Sequence, residues 1–200
     1  MTKENLGSKS VDLFRHSIGN LIFWLSGWKI EGEIPADKKS VLILAPHTSN
    51  WDAFIMLPAL FKMRIHVNWM GKKEIFFWPV KKTLIWLGGI PIDRSVKSNV
   101  VENTINIINQ AEKIIIGISP EATRSKSKTW RSGFYHIANH SRIPIHFGYL
   151  DYPRKVAGFA RGFVPSGDIE KDMDIIREFY KDKLYQGKFS DNVGEMKFKS

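Results

Sequence analysis

His47 and Asp52 stand with four residues between them in the stretch APHTSNWDAF, residues 45–54. An imidazole and a carboxylate at this spacing can pair across a tight loop. The carboxylate then receives a hydrogen bond from one ring nitrogen, fixes the tautomer and favours the imidazolium that forms on proton uptake. The second nitrogen is left to take a proton from a ligand. Such a pair with no serine in reach would activate a hydroxyl on the substrate, so transfer is direct and no covalent enzyme intermediate forms. The plainer alternative is that His47 ends a strand and Asp52 caps a helix.

Such a pair needs a strand to carry it and a helix to turn the chain. Residues 41–45 are a continuous apolar run, the pattern of a buried strand. Ser49 or Asn50 can cap a helix that runs to about Lys62, with Pro58 bending it. In open α/β sheets, sites gather where strands end and helices begin.

Further along, residues 64–70 alternate like a strand. Residues 71–88 mix apolar and basic groups around a proline, as a helix pair or a surface loop with aromatic anchors. Residues 90–93 suggest a short strand, 97–112 a helix, and 113–119 a buried strand. Residues 130–140 suit a helix, 143–150 another buried strand, 155–165 a strand or hairpin, and 168–186 an amphipathic helix. Strands alternating with helices predict a single α/β domain: a central mixed sheet flanked by helices. The expected division is an N-terminal membrane-interface helical segment over 1–30, an enzymatic domain over 31–187 and a frayed tail over 188–200.

The chain of 200 residues carries a net charge of +10 and has no cysteine. The first favours polyanions such as nucleic acid, anionic lipid or an acidic carrier protein. The second excludes disulfides, thiolate metal sites and a cysteine nucleophile. Five of the 7 tryptophans, Trp24, Trp28, Trp51, Trp69 and Trp78, precede residue 80 and are interleaved with basic residues. Tryptophan beside lysine suits a membrane interface, and it also suits single-stranded nucleic acid. Residues 10–28 place Leu13, Ile18, Leu21, Ile22 and Leu25 at helical spacing. The segment is too short to span and suits lying in an interface, or packing on the core. No secretory signal is expected from residues 1–10.

Three later blocks change the weight of the first. GGIPIDR spans residues 88–94, SPEATRSKS spans 119–127 and RIPIHF spans 142–147. The four in this order resemble the glycerolipid acyltransferase family, over roughly residues 40–150. That family carries a His-x4-Asp block, a Gly-x-x-x-Ile-Asp-Arg block, a Pro-Glu-Gly-Thr-Arg block and a Val-Pro-Ile block. The resemblance implies an O-acyltransferase of phospholipid biosynthesis. It would move a fatty acyl group from a thioester donor, acyl-coenzyme A or acyl carrier protein, to the free hydroxyl of a lyso-glycerolipid. The expected acceptor is 1-acylglycerol 3-phosphate. His47 would be the base and Asp52 its orienter. Gly88, Arg94, Glu121, Thr123 and Arg124 would form the acceptor site, with Arg94 on the phosphate; the planar fork of arginine suits phosphate oxygens. No metal and no bound cofactor is implied, and backbone N–H groups near the helix start are candidate oxyanion donors. The expected partners are the lyso-phospholipid, an anionic membrane surface and acyl carrier protein, without nucleic acid. The expected location is the cytoplasmic face of a membrane, peripheral or monotopic.

Three residues depart from the family pattern. Ala122 stands in place of glycine, Pro91 in place of a bulky apolar residue and Ser119 in place of an aromatic one. All three lie in blocks that shape acceptor choice, so a different acceptor, such as a lyso-ornithine lipid, stays open. Two other readings remain. His136 and His140 have the i, i+4 spacing of a zinc motif, but no carboxylate lies between them and no third ligand is evident. A non-catalytic binder of membranes or single strands would use the same lysines and tryptophans.

Overall fold

The computed structural model describes residues 3–93, 98–121, 129–183 and 186–189. Six helices and seven strands alternate along them. They are α1 (Lys3–Ser26), β1 (Lys29–Gly32), β2 (Lys39–Leu44), α2 (Trp51–Lys62), β3 (Asn68–Lys72), α3 (Lys81–Trp86), β4 (Gly89–Ile92), α4 (Ser98–Gln110), β5 (Ile114–Ile118), α5 (Gly133–Ser141), β6 (Ile145–Asp151), β7 (Val156–Phe163) and α6 (Ile169–Tyr180). A 3₁₀ turn at Lys73–Ile75 follows β3.

The strands form one mixed sheet in the order β1-β7-β6-β2-β5-β3-β4. From β6 to β4 all neighbours are parallel, β6 and β7 are antiparallel, and β1 runs parallel to β7. The expected mixed sheet with flanking helices is therefore present. Its central strand shows why the apolar run at 41–45 is continuous. A strand covered on both faces needs apolar residues at every position. Val41 and Ile43 pack into the layer that contains Phe134, Ile137 and Tyr180. Leu42, between them, packs on the other side with Phe23, Met56 and Leu60.

Helix α1 begins well before residue 10 and lies along α2. Its facing side is small and polar. A Cβ on Gly19 would come within 2.6 Å of both the Lys62 nitrogen and the Pro58 oxygen, so only glycine permits this approach. His16 Nδ1 donates to the Lys62 carbonyl at 2.9 Å, and Lys62 Nζ donates to Asn20 Oδ1 at 2.8 Å. Leu13, Phe14, Leu21, Trp24 and Leu25 are exposed on the outside, while Phe23 is buried. The helix thus meets α2 through Gly19, His16 and Asn20, sends Phe23 into the core, and turns several other apolar side chains outward, unlike an ordinary surface helix. No described helix is long and apolar enough to cross a membrane.

Other elements differ from expectation for local reasons. The strand expected at 64–70 starts at Asn68, because Arg64 adopts a left-handed conformation and Ile65 N–H caps the Leu60 carbonyl. Helix α2 runs through Pro58 as one element. Strand β1 is only four residues long at the sheet edge, too short for any periodicity to announce it. Helix α6 ends at Tyr180, short of the expected 186, and the chain turns back from there.

Candidate active site

The parallel strands β2, β5, β3 and β6 end on the same side of the sheet, and the segments after β2, β5 and β6 build the site. After β2 the chain passes Pro46 and reaches His47. Asp52 then falls in the first turn of α2, buried. His47 Nδ1 lies 3.1 Å from Asp52 Oδ2, and the imidazole remains 28% exposed. The same carboxylate oxygen accepts the Thr48 and Ser49 N–H groups, each at 2.8 Å. Asp52 therefore closes the loop that carries its own histidine. The helix start needs no other cap: Asn50 makes no side-chain capping bond, and Ser49 Oγ accepts the Trp51 N–H at 3.1 Å.

Tyr152 enters from the turn after β6. Its hydroxyl donates to Asp52 Oδ1 at 2.7 Å, and its ring meets Trp28 edge-on with centroids 5.1 Å apart. Burial opposes the charged form of Asp52. The hydrogen bonds from His47, Tyr152 and Ser49 outweigh burial and hold the carboxyl below its ordinary pKa. Burial, with the bond to Asp52, pushes the Tyr152 phenol up, so it stays a donor. With Nδ1 facing Asp52, Nε2 is the imidazole nitrogen left to accept a proton.

Glu121 follows β5 and is buried beside this loop. Its Oε1 accepts the His47 N–H at 3.3 Å. Its Oε2 has no hydrogen-bond partner among the described residues. Burial pushes its carboxyl up to about 7, against the bonds from its own N–H and that of His47. Beneath the loop, the buried Tyr180 hydroxyl shares its one proton between the Gly148 and Ile43 carbonyls, at 3.0 and 3.2 Å, tying α6 to β6 and β2. Residues 186–189 return over the loop. Tyr152 N–H donates to the Gln186 carbonyl at 2.9 Å, Phe189 N–H to Thr48 Oγ1 at 3.3 Å, and Lys188 Nζ lies 4.6 Å from the Trp51 ring centroid.

The structure thus brings His47, Asp52 and Glu121 together. Gly88 lies apart from them, just before β4 and level with Val41 in the middle of β2. Its φ of +88° and the 2.3 Å that would separate a Cβ from the Val67 oxygen account for the glycine as a backbone turn. Arg94, Thr123 and Arg124 lie outside the described residues. Tyr152 was missed in the sequence, where a lone tyrosine in a turn carries no spacing signal. The oxyanion donors expected near the helix start meet a difficulty, since the His47 N–H is engaged by Glu121 and those of Thr48, Ser49, Trp51 and Asp52 within the loop. As for metal, His140 Nδ1 donates back to the His136 carbonyl at 2.9 Å, and no group of three or more potential ligands occurs among the described residues.

A base with a fixed tautomer beyond the C-terminal end of a central parallel strand can deprotonate a hydroxyl held against Nε2. Comparison with known proteins bears on which one. A family model described as Acyltransferase matches residues 28–147. The chain is 30% identical over 142 residues to a 1-acyl-sn-glycerol-3-phosphate acyltransferase of Limnanthes alba, covering 67% of this chain and 49% of that one. It is also 30% identical over 142 residues to the protein so named in Cocos nucifera, covering 67% and 45%. The chain therefore spans about half the length of these curated relatives. Its fold matches the crystal structure of the 1-acyl-sn-glycerophosphate acyltransferase of Thermotoga maritima, with a TM-score of 0.64 and 14% identity over 91% of this chain and 84% of that one.

Proposed function

The chain belongs to the Acyltransferase family, and from that premise we propose that it transfers a fatty acyl group from a thioester to the free hydroxyl of 1-acylglycerol 3-phosphate. The observation that carries the proposal is the His47–Asp52 contact of 3.1 Å, with Tyr152 on the far carboxylate oxygen and the second imidazole nitrogen left for a ligand.

The steps follow from those contacts. The acceptor hydroxyl gives its proton to His47 Nε2 as its oxygen attacks the thioester carbonyl carbon. The imidazolium is stabilised by the Asp52 carboxylate. The new C–O bond forms, charge builds on the carbonyl oxygen, and collapse breaks the C–S bond. The proton on His47 then passes to the leaving thiolate, which restores the neutral base. The acyl group moves directly from donor to acceptor, and the balance needs no metal or bound cofactor. Arg94 and Arg124 would meet the acceptor phosphate, as their blocks imply. The donor is acyl-coenzyme A or acyl carrier protein, and the basic surface favours either polyanion.

The setting is an anionic membrane surface on the cytoplasmic side. What supports this is the outward apolar side of α1, together with the net charge of +10. Salt-sensitive pelleting with anionic vesicles is expected. Equal pelleting with neutral vesicles would remove the electrostatic part. A thiol-release assay with a panel of lyso-lipids tests the reaction itself: release dependent on 1-acylglycerol 3-phosphate supports it. Release with a phosphate-free acceptor alone would turn the proposal toward lyso-ornithine lipid, and release without any acceptor toward thioester hydrolysis.

A further inference from the structure

We infer that the turn carrying Ile75, Phe77 and Trp78, with Lys81 and Lys82 beside it, is a second anchor on an anionic lipid surface, separate from α1. The inference rests on the membrane setting proposed above and fixes how the catalytic mouth meets the bilayer.

Single exposed apolar residues are ordinary, whereas a cluster marks a contact surface. Trp78 is 87% exposed and Phe77 60%, with Ile75 and Val80 also exposed. They are displayed on a fixed turn. Phe76, between them, is buried and stacks on Trp69 with centroids 6.0 Å apart. A Cβ on Gly71 or Gly89 would lie 2.7 or 2.9 Å from that ring, so the two glycines make its socket. With Phe76 plugged inward, its neighbours are held outward.

The sheet places this turn toward the same end as the site. Strand β3 pairs in parallel with β5, and β5 with β2, so the chain leaves β3 at the end where His47 and Glu121 stand. The last turn of α1 arrives at the same end, since Trp28 touches Tyr152, and it carries Trp24, 78% exposed. Trp51 and Phe54, exposed in the first turn of α2, lie there too. Exposed aromatic side chains from three separate elements thus stand toward one end of the sheet. Lys73, Lys81 and Lys82 are exposed around the turn. Tryptophan with flanking lysine is the composition of a lipid–water interface, and each lysine gains from an anionic leaflet. An acidic protein would engage the lysines alone. Protruding aromatic groups on three elements suit a broad, fluid apolar surface.

The absence of cysteine allows single labelling sites in the full chain. An environment-sensitive fluorophore is placed through Trp78→Cys, Trp24→Cys or Glu112→Cys, the last exposed before β5 at the opposite end of the sheet. Vesicles of equal parts phosphatidylcholine and phosphatidylglycerol are then added. Blue shifts at 78 and 24, with none at 112, are expected. A shift at 24 with the probe at 78 still in water would overturn the second anchor and leave the membrane setting standing. Silence at both would overturn both. A shift at 112 equal to that at 78 would overturn the orientation. Independently, the Phe77→Ala/Trp78→Ala variant should lose about ten-fold in vesicle partition, because binding scales with buried apolar area. Lys81→Glu/Lys82→Glu should flatten its salt dependence. Wild-type partition and salt dependence in these two variants would contradict the inference.

Discussion

The Tyr152 hydroxyl donates to Asp52 Oδ1 at 2.7 Å while His47 Nδ1 faces Oδ2 at 3.1 Å. One carboxylate is gripped from both sides, and the grip reaches from the end of β6 to the loop after β2. Tyr152 touches neither substrate in the proposed mechanism, so it is a positioning residue. Tyr152→Phe should lower kcat by about ten-fold with little change in KM, the size of one hydrogen bond to a charged group. Asp52 loses a donor in this variant, so its negative charge is less neutralised and holds the imidazolium more strongly. The acid limb of the kcat–pH profile should therefore move to higher pH. A drop in folded protein with an unmoved profile would reduce Tyr152 to a structural role.

How far the sequence could be read follows from which signals are local. The apolar run at 41–45 and the His-x4-Asp spacing are both local, and they placed His47, Asp52 and their strand correctly relative to one another. Glu121 was reached through its block, but its bond to the His47 N–H links residues 74 apart, which no periodicity encodes. Tyr152 is 100 residues from Asp52 and lies in an unpatterned turn. Gly88 falls within a family block, yet φ and crowding against Val67 explain it as backbone. Helix α1 gave no clean amphipathic signal, because polar residues such as His16 and Asn20 serve its contact with α2, while among its apolar residues Phe23 is buried and Leu13, Phe14, Leu21, Trp24 and Leu25 face outward.

Asp52→Asn should cost far more than Tyr152→Phe. An amide cannot stabilise the imidazolium, and its nitrogen would disfavour the tautomer that presents Nε2 as the acceptor. A fall in kcat of about 10³–10⁴-fold is expected. Thermal unfolding run in parallel separates this from loss of the loop, since Thr48 and Ser49 N–H groups also bond to Asp52. Near-wild-type kcat in a folded variant would remove Asp52 from the catalytic pair.

Glu121 makes a stability prediction with a definite sign. Its carboxyl is raised from 4.5 to about 7 by burial. Below pH 4.5 it is protonated whether folded or unfolded, and no penalty applies. Between 4.5 and 7 the folded state holds a proton that the unfolded state has lost, so stability falls as pH rises. Above 7 the penalty is complete, on the order of 3 kcal/mol at most. Glu121→Gln keeps an acceptor for the His47 N–H and should lack this slope. Denaturant unfolding of both proteins at pH 5 and pH 8 checks it. Parallel pH dependence in the two would show that Glu121 keeps an ordinary pKa.

Arg94 and Arg124 are proposed to meet the acceptor phosphate. Arg94→Ala and Arg124→Ala should each raise KM for 1-acylglycerol 3-phosphate by about ten- to hundred-fold, with KM for the thioester unchanged. An unchanged KM for the acceptor in both variants would argue for an acceptor without phosphate.

The most direct test of the proposed reaction is acceptor-dependent thiol release, from acyl-coenzyme A and from acyl carrier protein, by wild type and His47→Ala. Release with wild type that requires 1-acylglycerol 3-phosphate, and that vanishes in a folded His47→Ala, is the predicted result. Equal release by the two proteins, or none from any pairing of donor and acceptor, would contradict a catalytic base at His47.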